Sequence, residues 1–423
     1  MTMTKPEIDP EIFFSREYQD DPYPTLKLLR DHYPVYYNPI GDNWMISRYD
    51  DVCAAFRDLE NYSAQPNALG IGAVFGPTLM EYDGEQHNKL RNIVAPEFVG
   101  RKLDALLPII ERNSIALIEK YTKKHARRIA EEAAKTGEID IVDDFATRLP
   151  LNVILDVLDL PQDAHDMFHE WYPAMMNGIG GPPDIRAAGI KANQEYHDYL
   201  EPLLQERSKN PADDLISRLC VAEVDGHRMT FQEIKSFASL LLVAGAETTD
   251  KAIANLWYQM LANPEQWELV RNDPSLLDRA FTEMMRVHPP SGGQARRAIH
   301  DIPFPEYGVT IPEGAYVNLS IYGGNRDERV FANPDKFDVM RPDLYVGRAL
   351  RAGYHENGQA SHLGFGLGKH FCVGYQLAQT ETVIGSRMLM DVMRNPRFKP
   401  GTTPKPIAIS LDPWELWIEF DPA

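Results

Sequence analysis

The sequence predicts a mainly α protein with small β-sheets, organised as one domain over residues 1–423, and three observations carry that prediction. Long stretches at about Arg101 to Lys135, Thr147 to Leu160, Ile185 to Lys209 and Phe231 to Ala262 place apolar residues at helical spacing. Short β-prone segments occur near the start, between Ile299 and Leu319, and from Pro404 to Phe420. No repeat and no low-complexity linker divides the chain, which is long enough to bury a large core.

Charge and cysteine content narrow the function classes. A net charge of −19 repels nucleic acid and anionic membrane, so neither is expected as a partner. Three widely spaced cysteines, Cys53, Cys220 and Cys372, argue against a disulfide framework and a four-ligand zinc site, and suit a reducing compartment. Met1 to Pro10 is polar and charged, and nowhere does a run of about 18 apolar residues occur. The expectation is a soluble, cytoplasmic protein, monomeric and free of a signal peptide or membrane anchor.

Taken in order, Val35-Tyr36-Tyr37 and Trp44-Met45-Ile46 flank a turn-forming Asn38 to Asn43 and predict a hairpin. Asp83-x-x-x-His87-x-x-x-Arg91 places His87 and Arg91 one turn apart on one helix face. The best-defined helix starts at Thr230-x-x-Glu233, a capping box, with Met229 and Ile234 at staple spacing, and stops at Asn263-Pro264. At 1.5 Å per residue it spans about 48 Å. Midway stands Ala244-Gly245-Ala246-Glu247-Thr248-Thr249, after the apolar run Leu240 to Val243. A glycine and a carboxylate inside a buried helix cost stability, the glycine about 1 kcal/mol and an unpaired charge more, which marks the hexapeptide as functional. The bland alternative is that Thr248 and Thr249 hydrogen-bond carbonyls four residues earlier.

Leu276 to Val287 is helical, with Glu283 and Arg286 at i and i+3, and is ended by His288-Pro289-Pro290. The most informative stretch is Phe365-Gly-Leu-Gly-Lys-His-Phe-Cys-Val-Gly374. It sets Cys372 in a glycine-punctuated loop before an amphipathic helix, Tyr375 to Met393, whose N-terminus favours the thiolate that binds metal. Gly366, Gly368 and Gly374 let the backbone bend tightly and admit a flat, bulky partner.

Phe365, Gly366, Gly368, His370, Cys372 and Gly374 match, without departure, the haem-binding signature of the haem-thiolate monooxygenases, and the sequence resembles the cytochrome P450 superfamily, specifically its soluble bacterial members. The resemblance implies the fold of that superfamily, with a long central helix over the haem, haem b as cofactor and Cys372 as the iron ligand. It places Ala244 and Gly245 as a groove for dioxygen, with Glu247 and Thr248 managing protons. Chemistry agrees: splitting the O–O bond needs two protons at its outer oxygen, a hydroxyl such as Thr248 holds that oxygen, and Glu247 relays protons from solvent. His87, Arg91, Arg296 and His370 match positions that meet the haem propionates, Arg297 being a neighbouring substitute for Arg296. Glu283 and Arg286, with Arg341, are implied to form a buried structural brace.

The implied activity inserts one atom of O2 into an uncharged hydrophobic small molecule, terpenoid, alicyclic or aromatic, with electrons from a separate ferredoxin or flavodoxin. A peroxygenase using H2O2 and a non-catalytic thiolate-haem sensor are the alternatives; neither calls for the Glu247–Thr248 pair. By resemblance the substrate pocket draws on Pro66 to Met80, Trp171 to Pro183, the face Phe237, Leu240, Leu241 and Ala244, Ser291 to Ala295, and Pro406 to Ser410. The first two offer no Arg or Lys to clamp a carboxylate, and the second, rich in glycine and proline from Gly178 to Pro183, has the composition of a mobile lid. Pro342 to Ala360 is an insertion that reads as a surface loop on the cysteine side, where Lys89, Arg101, Lys102, Lys369, Arg348 and Arg351 would attract an acidic electron donor.

Overall fold

Alternating aromatic and β-branched residues form the predicted hairpin, Val35–Asn38 against Asn43–Ile46, in the register Val35↔Ile46 to Asn38↔Asn43. The computed structural model describes the backbone of residues 5–132, 136–161, 165–406 and 415–421, and the side chains of the same residues except 122–132, 165 and 166. It divides into two compact units, Met1–Pro66 with Thr282–Cys372, and Asn67–Phe281 with Val373–Ala423.

In the first unit the second hairpin strand, Asn43–Ile46, pairs in parallel with Tyr316–Ser320, which pairs antiparallel with Gly293–Ala298, and that strand holds Tyr62–Ser63 at the far edge. Ile46, Val52, Phe56, Val317, Leu319, Phe331, Leu363 and Leu367 pack into one apolar cluster beside this sheet. Each such side chain contributes about 1.5–3 kcal/mol by leaving water.

The implied brace is present in this unit. Glu283 accepts two hydrogen bonds from Arg286, at 2.8 Å each, and one from Arg341 Nε at 3.0 Å. All three are fully or nearly buried. Arg286 spends its remaining donors on the carbonyls of Asn325, Pro334 and Lys336, and Arg341 on those of Ala332, Asn333 and Lys336 and on the Asp343 carboxylate at 3.3 Å. Insertion residues 342–360 are less superficial than their polar sequence predicts. Leu344, Leu350 and Ala360 are buried, and the loop is tied to the Tyr49–Arg57 helix by Arg57 Nη2 to Ala352 O at 2.5 Å and Tyr354 Oη to Asp50 at 2.6 Å.

The second unit is built around the Phe231–Ala262 helix, 32 residues long. Its start is fixed as the sequence predicts: Thr230 Oγ1 accepts from Glu233 N at 3.2 Å, and Thr230 N donates to Glu233 Oε2 at 2.7 Å. Met229 and Ile234 are both buried, as a staple requires, and Asn263 caps the end before Pro264 opens the next helix. Helices Arg148–Val157 and Tyr375–Val392 pack with it, and Leu107–Glu132 packs against those two. The predicted 101–135 stretch is thus split into Arg101–Asp104 and Leu107–Glu132, residues 133–135 lying outside the described residues. Helices His165–Gly178 and Pro183–Lys209 approach closely at paired glycines; a Cβ on Gly189 would stand 2.9 Å from Gly178 Cα. The composition that reads as a lid is therefore helix as far as Gly178. Among the described residues no helix is long and apolar enough to cross a membrane.

Candidate active site

From Ser236 to Trp257 every residue of the long helix is buried except Ala244, which is exposed, and Gly245 and Thr248, which are half-buried. Their spacing, i, i+1 and i+4, places the opening on one face in the middle of an otherwise enclosed helix. Thr248 Oγ1 donates to Ala244 O at 2.8 Å, the back-bond considered from the sequence. That bond uses the hydroxyl proton and leaves the oxygen lone pairs toward the opening. Gly245 has a packing reason as well: a Cβ there would stand 2.9 Å from Ile154 Cδ1 on the Arg148–Val157 helix.

Glu247 lies on the adjacent, buried face. Tyr172 Oη, from the His165–Gly178 helix, donates to Glu247 Oε2, and Lys251 Nζ donates to Oε1. The same ammonium lies 3.4 Å from Asp250 Oδ1. Burial pushes the Asp250 carboxyl up to about 7 and holds the Tyr172 phenol well above its ordinary range. Sequence reading missed Tyr172, Asp250 and Lys251. The i, i+4 spacing of Glu247 and Lys251 was the available signal.

Cys372 is a half-buried thiol in no disulfide, its backbone N–H donating to Phe365 O at 2.9 Å and closing the loop on itself. Gly366 and Gly368 take φ of +67° and +69°, so both need glycine, and a Cβ on Gly368 would meet Phe56 O at 2.7 Å. Gly374 does not share this role; its φ is −89°, and the space beside it is open, with nothing within 4 Å of an added Cβ. Phe365 is half-buried near His362 and Phe371, and His370 sits in the short turn Gly368–His370.

The candidate cations are enclosed. His87 is buried and Arg91 half-buried on the Gly84–Val94 helix, one turn apart as predicted. Arg296 is buried on its strand, its guanidinium 5.7 Å from the Phe56 ring. Arg297 faces the other way, bonded to Tyr316 Oη at 2.7 Å, so strand alternation removes it as a substitute.

The cytochrome P450 family model matches residues 41–411. The chain belongs to the cytochrome P450 family. Pulcherriminic acid synthase of Bacillus subtilis (strain 168) is 32% identical over 389 residues, covering 91% of each chain. The monooxygenase PikC of Streptomyces venezuelae is 31% identical over 384 residues, 89% of this chain and 85% of that protein. The crystal structure of CYP109E1 from Bacillus megaterium in complex with testosterone superposes with a TM-score of 0.80 at 26% identity, over 95% of this chain and 99% of that one.

This cytochrome P450 is a monooxygenase, and its cofactor is haem b. The residues present suit that group. The loop thiol of Cys372 is a donor of the kind that a thiolate-ligated haem requires. Enclosed His87 and Arg91 in the second unit, and Arg296 in the first, are each of the type that complements a carboxylate. The open flank of Gly374 and the exposed Ala244 each leave room for a flat surface.

Other expected features of the P450 fare unevenly. Val74 and Phe75 are buried in the short Ile71–Phe75 helix, which packs with the helices at 165–178, 183–209 and 231–262. Pocket residues 407–410 lie outside the described residues. Of the cations expected to greet an electron donor, Lys89 is paired with Glu85 at 2.6 Å, and Lys102 with Glu97, so the patch is weaker than the sequence suggests. Lys369, Arg348 and Arg351 are exposed, and Arg351 stacks 5.0 Å over Phe371, next to Cys372.

Proposed function

We propose that this P450 inserts one oxygen atom of O2 into an uncharged hydrophobic small molecule, terpenoid, alicyclic or aromatic, with Cys372 as the iron ligand and electrons from a separate ferredoxin or flavodoxin. The observation that carries the reading is the opening at Ala244, Gly245 and Thr248, which is lined by carbon and one hydroxyl, with buried Leu240 and Leu241 alongside. Bound testosterone in CYP109E1 is a neutral alicyclic ligand of the same character. Visible absorption titration tests the substrate class: neutral terpenoids and alicyclic ketones should shift the Soret band toward the substrate-bound form, whereas a shift produced only by fatty acids or cationic ligands refutes it.

Thiolate-ligated haem supplies the redox chemistry that activates dioxygen. His87, Arg91, Arg296 and His370 would hold its propionates, and Phe365, Gly366 and Gly374 would give it close approach. Thr248, its proton engaged by Ala244 O, offers its oxygen as a hydrogen-bond acceptor at the opening, and Glu247 is the acid behind it. Thr248→Ala should keep haem content and substrate affinity within about twofold of the parent while sending most reducing equivalents into hydrogen peroxide, since the hydroxyl that orders the second protonation is gone. Tight coupling of electrons to product in that variant would reduce Thr248 to a residue satisfying its own helix.

For the electron donor, the reading rests on Lys369, Arg348 and Arg351 around an otherwise acidic protein. Charge steering acts on encounter rate and is screened over about 8–10 Å at 0.1–0.15 M salt. The second-order rate of haem reduction by an acidic ferredoxin should fall with ionic strength, and again by roughly threefold or more in Lys369→Glu at low salt, with substrate affinity unaltered. A rate indifferent to both changes means docking is apolar.

A further inference from the structure

A buried acid is useful only if its side chain is held where a proton must pass. Glu247 has both oxygens engaged from different directions, Oε2 by the Tyr172 hydroxyl and Oε1 by the Lys251 ammonium. We infer that Tyr172 and Lys251 are positioning residues for proton delivery: they fix the Glu247 carboxylate beside the Thr248 opening, with Asp250 as the second carboxylate on the shared ammonium. The inference rests on the reading of Glu247 as the acid and deepens it.

Three observations support it. Glu247, Asp250, Lys251 and Tyr172 are all buried, so the cluster is sealed from bulk water. Two carboxylates sharing one ammonium leave one negative charge too many at high pH. Burial raising the Asp250 carboxyl to about 7 fits a cluster that holds one exchangeable proton near neutrality. Tyr172, kept a phenol, donates and cannot become a competing anion. Finally, the hydrogen bond ties Glu247 to a neighbouring helix that also carries Met175 and Met176 of the expected substrate segment. An ion pair serving stability alone would not need a second carboxylate on the same ammonium; replacing such a cluster by apolar side chains is often neutral or stabilising.

The test uses the haem-loaded protein, a substrate found by titration, and two oxygen sources. Iodosylbenzene brings an oxygen atom that needs no proton delivery, whereas dioxygen with reductant does. In Tyr172→Phe the ratio of dioxygen-driven to iodosylbenzene-driven turnover should fall about fivefold or more, with KM changed by less than about twofold and a larger solvent deuterium isotope effect. Lys251→Met should lower that ratio about tenfold, and Lys251→Arg, which keeps a cation, should recover at least about half of it. An unchanged ratio in Tyr172→Phe, or Lys251→Arg no better than Lys251→Met, overturns the inference. The reduced carbon monoxide spectrum is recorded for each variant. If Glu247→Gln also leaves the ratio at the parent's value, the acid assignment itself has failed; if only the two positioning variants do, Glu247 works without them.

Discussion

Cys372→Ser should abolish the long-wavelength band of thiolate ligation in the reduced, carbon monoxide-treated protein and take monooxygenase turnover to background, while Cys53→Ser and Cys220→Ser keep both. The contrast follows from environment. Cys53 is buried in the Tyr49–Arg57 helix, and burial pushes its thiol up to about 12, the signature of an inert core residue. Cys220 lies on the Leu215–Val221 helix with its thiol likewise raised by burial. Cys372 alone stands in a loop whose glycines are forced by positive φ at 366 and 368. A neutral serine hydroxyl is a poor ligand for ferric iron and pushes little electron density toward it. A band that survives in Cys372→Ser and vanishes in either of the other two variants refutes the ligand assignment.

Much of this site was legible because its signals are local. The capping box at Thr230 and Glu233 is a contact across three residues, and the Thr248 to Ala244 back-bond one across four. Turn glycines at 366 and 368 obey a steric rule of single residues. What escaped is long-range. Tyr172 and Glu247 are 75 positions apart, and no pattern of spacing pairs a tyrosine on one helix with a glutamate on another. The burial of Leu344 and Leu350 within a polar insertion was hidden for the same reason, since isolated apolar residues in a loop carry no periodicity. The overestimated basic patch is a different failure. Lys89 with Glu85 is an i, i+4 pair visible in the sequence, and counting lysines without their helical neighbours overlooked it. Glu283 and Arg286 were readable as a helical pair, but Arg341, 58 positions from Glu283, entered only through family resemblance.

Glu283→Ala should be the most destabilising single change in the first unit. Removing that carboxylate leaves two guanidinium groups, at 0% and 4% side-chain exposure, facing each other in the interior. Breaking a buried pair by deleting one partner costs about 3–5 kcal/mol, because the remaining charge keeps its desolvation penalty without its compensation. Here Arg286 is stranded, Arg341 falls back on Asp343 at 3.3 Å, and Asp338 N, which donates to Glu283 Oε1 at 3.1 Å, loses its acceptor as well. The thermal midpoint should fall by roughly 10 °C, with haem content dropping in parallel. Glu283→Gln keeps the shape and one acceptor oxygen, and its loss should lie between parent and alanine. The carbonyls around Arg286 and Arg341 decide whether the triad matters more as charge or as scaffold: five of them, from Asn325 to Lys336, are fixed by these two side chains. If charge compensation dominates, Glu283→Ala combined with Arg341→Met regains part of the lost stability, since one of the two buried cations is removed. If the carbonyl scaffold dominates, the double variant is worse than either single one. A Glu283→Ala midpoint within about 2 °C of the parent would show that water or a side-chain rearrangement compensates both guanidinium groups, and the brace would lose its structural role.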